Sequence, residues 1–446
     1  MQSPSVTQVR AITVITLVAL VLRLLFLFSN DVTTLNRGGD TNWLLYAGKA
    51  LVDGTIKEAP QPGPVYLVYV GLIQITFGDM IHVPEDEPDI VKRFQSVEVV
   101  RSPSWLVLGL LNALEGTFIC VCVWWLGRRW FSERVGLIAA GLIAINPIFI
   151  IETVNLVTES LFLALFLGAL ALYALKVRED QTVSGRAVFM IGVLVGLATL
   201  TRAATLLFPA VLSLHLLYLY RRQAVRLILA LGVGYLLALS PWTVYNLVKW
   251  NRLVIGAEGI IANIYLGTRP DGWTGPQAID AAIGATGDGN NQQKYANGAI
   301  AAITANPIGY VVQRVNNLFQ AVLQPHNTVY YPGVSIKQLF ADWWSRGHAL
   351  SEIGTLTTAD NFWPKLLLYI FHFGALGLGL LGLLFSLRRL GERLVLYGTI
   401  GYFLALHLVL TAIPRYLFPI EAIWLLFAAF LIAQARRKSR NAAAPL

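Results

Sequence analysis

Charge is scarce in this chain. Only 13% of its 446 residues are Asp, Glu, Lys or Arg, while 56% are hydrophobic. That balance excludes an ordinary soluble domain and suits a polytopic membrane protein. Cysteine is scarcer still, with two residues. Cys120 and Cys122 stand two apart in one apolar run and point in different directions, which suits neither a disulfide nor a metal site. They read as small buried hydrophobes. No internal repeat is visible, and no low-complexity tract precedes the terminal NAAAPL. The first apolar run lacks a small-residue cleavage site after it and reads as a retained anchor.

What charge there is has a pattern. Long apolar runs alternate with short polar breaks, and every second break is basic: GRRWFSER (127–134), KVREDQTVSGR (176–186), YRRQAVR (220–226), LRRLGER (387–393) and ARRKSR (435–440). With Arg10, these hold half of the 34 Lys and Arg residues. The intervening short breaks, around 152–158, 201–203 and 413–416, hold only Arg202 and Arg415. Cytoplasmic loops retain Lys and Arg, so the basic breaks face the cytoplasm, both termini lie inside, and segments 30–103 and 249–362 lie outside. The excess of positive charge is thereby used for topology, and nothing resembles a nucleic-acid surface.

A membrane span needs about 20 apolar residues. Ten spans are expected, near 11–29, 104–127, 135–151, 158–175, 187–201, 203–220, 226–248, 363–386, 392–413 and 416–434. The expected organisation is an N-terminal transmembrane module with its first outer loop (1–248), a large outer segment (249–362), and C-terminal helices with a basic tail (363–446). Within 30–103, GGDTNWLLYAGKALVDG (38–54) has helical period and closes on glycine. QPGPVYLVYVGLIQITFG (61–78) is too short to span, and is placed in the outer interface. PEDEPD (84–89) reads as a solvated acidic patch. In the large outer segment, a glycine-rich stretch (267–291) precedes a helical pattern (299–323). Pro307 divides that pattern into two short helices.

Chemistry-bearing residues gather at the outer breaks. Asp40 opens a helix behind Gly38 and Gly39. It suits a helix N-cap, a base for an acceptor hydroxyl, or a metal ligand. Glu152 and Glu159 bracket the next outer break, as helix-terminal acids or as half of a carboxylate pair. Arg202 and Arg415 run against the inside bias. A lipid phosphate at the surface would justify them, as would an ion pair with an outer acid. Glu115 lies mid-span, as a functional group or a protonated helix contact. His215, His372 and His407 read as interhelical hydrogen-bond partners. Arg23, near the outer end of the first span, is expected to snorkel outward.

These pieces, in this order, resemble the GT-C superfamily of polyprenyl-phosphate-dependent glycosyltransferases, in the bacterial branch related to protein O-mannosyltransferases and lipid A aminoarabinose transferases. GGDTNWLLYAGKALVDG resembles the first-loop motif, and QPGPVYLVYV the proline-rich start of the next helix. WWLGRRWFSERVGLIAAGLIAINP (124–147) is similar to the arginine-bearing inner turn, LVTESLFLALF (156–166) to the outer acidic turn, and GLATLTRAATLLF (196–208) to the LTRP segment. SPWTVYN (240–246) with EGIIANIYLGTRPDG (258–272) looks like the entry to the large outer loop, and PRYLFPIEAIW (414–424) resembles the last helix. The chain departs from the pattern at Thr41, Ala203, Tyr245 and Glu421.

The resemblance implies an all-α membrane bundle of GT-C type in the bacterial inner membrane, with its active site outward. It implies transfer of a sugar, with inversion, from a polyprenyl-phosphate donor to an extracytoplasmic lipid, glycan or protein. Asp40 would be the general base, Glu159 a second acid orienting acceptor or metal, and Arg415 and Arg202 the donor-phosphate ligands. A divalent metal on Asp40 and Glu159 stays open as a cofactor. The alternatives are a transporter or flippase of lipid-linked sugars, and a non-catalytic subunit with a degenerate GT-C fold.

Overall fold

A computed structural model describes residues 5–33, 39–56, 60, 62–84, 96–178, 183–257, 260–268, 292–346 and 353–442. Most of the acidic patch and of the glycine-rich stretch lies outside the described residues. Among the described residues, the regular structure is helical apart from two short antiparallel strands, Ile81–His82 and Glu98–Val99.

The helices in chain order are α1 (Val6–Ser29), α2 (Gly39–Val52), α3 (Pro64–Phe77), α4 (Pro103–Trp130), α5 (Glu133–Ile145), α6 (Pro147–Ile151), α7 (Glu159–Lys176), α8 (Gly185–Thr201), α9 (Phe208–Tyr220), α10 (Ala224–Trp250), α11 (Ile260–Gly267), α12 (Gln292–Ala305), α13 (Pro307–Val322), α14 (Ile336–Ser345), α15 (Ile353–Leu356), α16 (Phe362–Ser386), α17 (Leu394–Val409) and α18 (Pro414–Ala442). Each expected span overlaps helix over most of its length. Among the described residues, six stretches are long and apolar enough to cross a membrane, with Ala203–Trp250 counted as one run. α5, α8, α9 and α17 are shorter than the roughly 20 residues a perpendicular span needs.

The expected span at 135–151 is broken. Pro147 cannot donate to the preceding turn, and the Asn146 side chain instead accepts from Ile148 N at 3.0 Å, starting α6. Pro307 divides α12 from α13, as its position predicts.

The main core joins α4–α10 with α16–α18, through buried residues such as Trp124, Phe166, Leu212, Phe403 and Phe427. A second core joins α2, α3 and the N-terminal end of α4 through Leu45, Tyr66, Leu67, Val70 and Trp105. α2 and α3 touch backbone to backbone at Gly48 and Gly71, where a Cβ on Gly71 would collide with the Gly48 carbonyl. Gln74 adds a polar tie, donating to Leu45 O at 2.8 Å and accepting from Met80 N at 3.2 Å. These contacts fix the start of α2, which carries Asp40.

Both cysteines are buried and free. Arg23 does not snorkel: it is fully buried between α1, α4 and α5, with Nη1 on the Ala19 and Ala144 carbonyls. Gly116 makes the room, since any Cβ there would collide with the guanidinium.

Candidate active site

Four helix ends converge on one cluster. Asp40 lies in the first turn of α2, Glu159 begins α7, Arg202 follows α8, and Arg415 is the second residue of α18. Each sits where an apolar run meets a polar break, so the bundle sets them at one level. At Arg202 the backbone turns extended and enters a 3-10 turn, Ala203–Thr205.

Arg415 is the hub. Its Nη1 donates to Asp40 Oδ2 at 2.7 Å. Its Nε donates to Glu159 Oε1 and its Nη2 to Glu159 Oε2, the latter at 3.1 Å. Arg202 Nη1 also donates to Glu159 Oε1, and to Thr158 Oγ1 at 3.3 Å. The Arg202 guanidinium lies 5.2 Å from the centre of the Tyr416 ring. Two carboxylates and two guanidinium groups balance in charge. The side chain of Glu159 is 2% exposed, whereas that of Asp40 is 51% exposed. The buried acid is therefore held on both oxygens, and the outer acid offers its carboxylate to solvent.

All four predicted site residues thus come together. Both arginines form ion pairs with acids, Arg202 with Glu159 and Arg415 with Glu159 and Asp40, the alternative left open by their position. Glu421 is not the partner of Arg415; it lies 3.4 Å from His372 Nδ1 instead.

A second cluster adjoins the first. Glu152 Oε1 accepts from Asn155 Nδ2 at 3.0 Å and Asn327 Nδ2 at 2.8 Å, and lies 2.9 Å from His326 Nε2. Asn327 has φ 67°, in the left-handed region that asparagine tolerates. It also donates to Ile148 O at 3.0 Å and accepts from Asn155 at 2.8 Å. Beyond it, Tyr330 OH donates to Asn30 Oδ1 at 2.8 Å. Residues 324–331 therefore strap the outer segment across the ends of α1, α6 and α18, with His326 against the Phe418 ring at 4.9 Å. Burial raises the Tyr330 phenol to about 12, and the neighbouring Tyr331 adds to the shift. A small cavity beside the strap is lined by Val322, Gln324, His326, His372, Glu421 and Trp424.

His326 and Asn327 were not singled out from the sequence. The only local signal is QPHN (324–327), a turn-forming run directly after a helix. Of the other candidates, Glu115 accepts from Tyr69 OH at 2.9 Å. His215 pairs with Tyr173 OH at 2.7 Å, His372 with Val322 O at 2.8 Å, and His407 with Thr411 O at 3.1 Å. Each is a hydrogen-bond partner, and the His407 bond runs to the turn after its own helix rather than across to another.

The donor set does not fit a divalent ion. Among the described residues, no three His, Cys, Asp or Glu side chains group as ligands. Asp40 and Glu159 both face the Arg415 guanidinium, a cation already standing between them. Hard cations usually take six or more oxygens, and zinc four ligands.

Residues 96–245 match the model of the dolichyl-phosphate-mannose-protein mannosyltransferase family. No curated protein matches the chain at a significant level. Among solved structures, the chain is similar to the oligosaccharyltransferase of Archaeoglobus fulgidus. The apo crystal structure aligns with a TM-score of 0.55 at 15% identity, over 98% of this chain and 52% of that one. A complex with an inhibitory peptide and a dolichol-phosphate aligns at 0.56 and 14%, over 99% and 52%. A form tethered to an acceptor peptide with an NVT sequon aligns at 0.57 and 14%, over 97% and 50%. A further form holds Zn and sulfate. The chain thus spans about half the length of these structures. The fold is that of the GT-C superfamily, all-helical and membrane-spanning, as the ordered motifs implied.

Proposed function

We propose that this GT-C-fold chain is a membrane glycosyltransferase that moves a sugar from a polyprenyl-phosphate donor to an extracytoplasmic acceptor. Its site faces outward from the bacterial inner membrane. The single observation that carries the proposal is the Asp40–Arg415–Glu159–Arg202 cluster, built from four separate helix ends. The mannosyltransferase family match over 96–245 supports the reaction class, because that segment includes Glu159 and Arg202. The neighbour solved with a dolichol-phosphate and an inhibitory peptide supports a lipid-linked donor.

The chemistry is one displacement. The acceptor oxygen forms a bond to the anomeric carbon while the bond from that carbon to the phosphate oxygen breaks. The electron pair leaves with the lipid phosphate, and the anomeric centre inverts. Asp40, half-exposed, takes the acceptor proton. Arg415 uses three of its five N–H donors on Asp40 and Glu159, which leaves two for a phosphate oxygen. Arg202 adds a second positive charge from behind. Glu159 is too enclosed to meet an acceptor. Its role is to position both arginines, which revises the part that the motif alone implies for it. No step needs a metal on Asp40 and Glu159.

The test is a transfer assay with purified protein in detergent and a synthetic polyprenyl-phosphate sugar. Release of polyprenyl phosphate, with the sugar on an added envelope acceptor, is the expected result. Movement of the intact donor across vesicles without cleavage would assign the chain to transport instead.

A further inference from the structure

The outer-segment helix α13 carries a surface that sugar transfer does not use. Ile308, Val311, Val312, Val315 and Phe319 recur at helical spacing and form one narrow stripe. Each is more than half exposed. Asn316, Asn317, Gln313 and Gln320 flank it on one side. The only charged residue of the helix, Arg314, is on the opposite side and buried. Its guanidinium donates to Gly267 O at 3.1 Å, His407 O at 3.1 Å and Leu408 O at 3.2 Å. Tyr310 OH reaches Val409 O at 3.4 Å. These acceptors are the final carbonyls of α11 and α17.

The other end of α13 fixes its level. Val322 O meets His372 Nε2 at 2.8 Å. His372 lies ten residues into α16, about 15 Å along its axis from Phe362. α16 has 25 residues, hence a length of about 37 Å against a hydrocarbon core of about 30 Å. Even if all the excess projects outward, the contact lies roughly 8 Å below the hydrocarbon edge. At that depth, whatever the protein leaves uncovered faces lipid: Ala321 and Val322 pack into the core, while Phe319 stays 58% exposed. Exposed Trp344 at the end of α14 and Trp363 at the start of α16 supply aromatic side chains of the type that marks a membrane interface.

We propose that α13 lies slanted in the outer face of the bilayer, with its apolar stripe immersed in lipid. Its partner is the acyl-chain region of that leaflet. The stripe has no charge to attract a headgroup, and it continues the exposed apolar ends of α17 at Leu408 and Val409. The helix runs directly into the strap that bears His326, so the bilayer supports one wall of the candidate site. This inference rests on the geometry and on the sidedness of the basic breaks, and stands whether or not the chain transfers sugar.

The test uses full-length protein in phosphatidylcholine vesicles, with Val312→Cys on the stripe and Gln313→Cys beside it at the same level on the polar side. The native cysteines are buried and serve as background. With a membrane-impermeant thiol reagent on both sides of the bilayer, Val312→Cys should react about tenfold more slowly than Gln313→Cys. In detergent-free vesicles of brominated lipid, a fluorophore on Val312→Cys should be quenched and one on Gln313→Cys should not. Equal reactivity would overturn the proposal. Protection at position 312 without bromolipid quenching would also overturn it, because protein rather than lipid would then cover the stripe.

Discussion

Arg415 grips both carboxylate oxygens of Glu159, 256 positions away in the chain. The pair joins the first turn of α18 to the first turn of α7 beneath Asp40. Glu159 is almost wholly enclosed, so its charge depends on its two arginines. A buried carboxylate is tolerated only when paired and hydrogen-bonded.

Arg415→Ala therefore removes more than a donor contact. Breaking a buried ion pair from one side costs about 3–5 kcal/mol. The variant should lose thermal stability in detergent and donor use together. Arg415→Lys should recover the charge but not the three-way bridge, giving partial stability and weak turnover. Wild-type melting and donor titration in Arg415→Ala would show that Glu159 does not need this partner.

Asp40→Asn should behave differently. The side chain is half-exposed, and the amide oxygen can still accept from Arg415 Nη1. Folding and melting should stay near wild type while turnover falls by about 10²-fold or more, the usual contribution of a general base. Turnover above about a tenth of wild type would remove Asp40 from that role.

Glu152→Ala should release the strap. It deletes the common acceptor of Asn155, Asn327 and His326. Hydrogen bonds to charged groups contribute about 1.5–3 kcal/mol each, so limited proteolysis should cut the outer segment well before the membrane module. Glu152→Gln keeps an acceptor oxygen and should be cut more slowly than Glu152→Ala. Identical cleavage in all three proteins would show that the strap is held by other contacts.

Orientation is tested by tags. Those at 180, 224 and 390 should be cytoplasmic, and those at 45, 85 and 280 outside, because basic breaks are retained. If labelling at 280 required permeabilised membranes, the site would face the cytoplasm and a lipid-linked donor would lose its rationale.

The sequence carried the helices well, because long apolar runs have few other options in a membrane. It also carried the level of the site, since Asp40, Glu159, Arg202 and Arg415 all border polar breaks between apolar runs. The pairing was less accessible. Glu421 is near Arg415 in sequence, but six positions on a helix put it a turn and a half deeper, beside His372. Glu159 is remote in sequence and close in space, a relationship that exists only once the bundle brings the first turns of α7 and α18 together. Arg23 failed for a similar reason. Its position suggests an easy path outward, while Gly116 on a different helix opens a slot that holds it inside. The strap was hidden because QPHN looks like any turn until Glu152 is placed beneath it.

The contributors to the charge cluster are synthesised in a fixed order. Asp40, Glu159 and Arg202 precede α17, whereas Arg415 arrives on α18, after all of them. During synthesis Glu159 thus has a single cationic partner until α18 inserts. Seating α18 supplies the second cation and completes the compensation of that acid. The arginine proposed to meet the donor is then also the second partner of Glu159, so a chain arrested before α18 would lack both the donor contact and half of that acid's pairing.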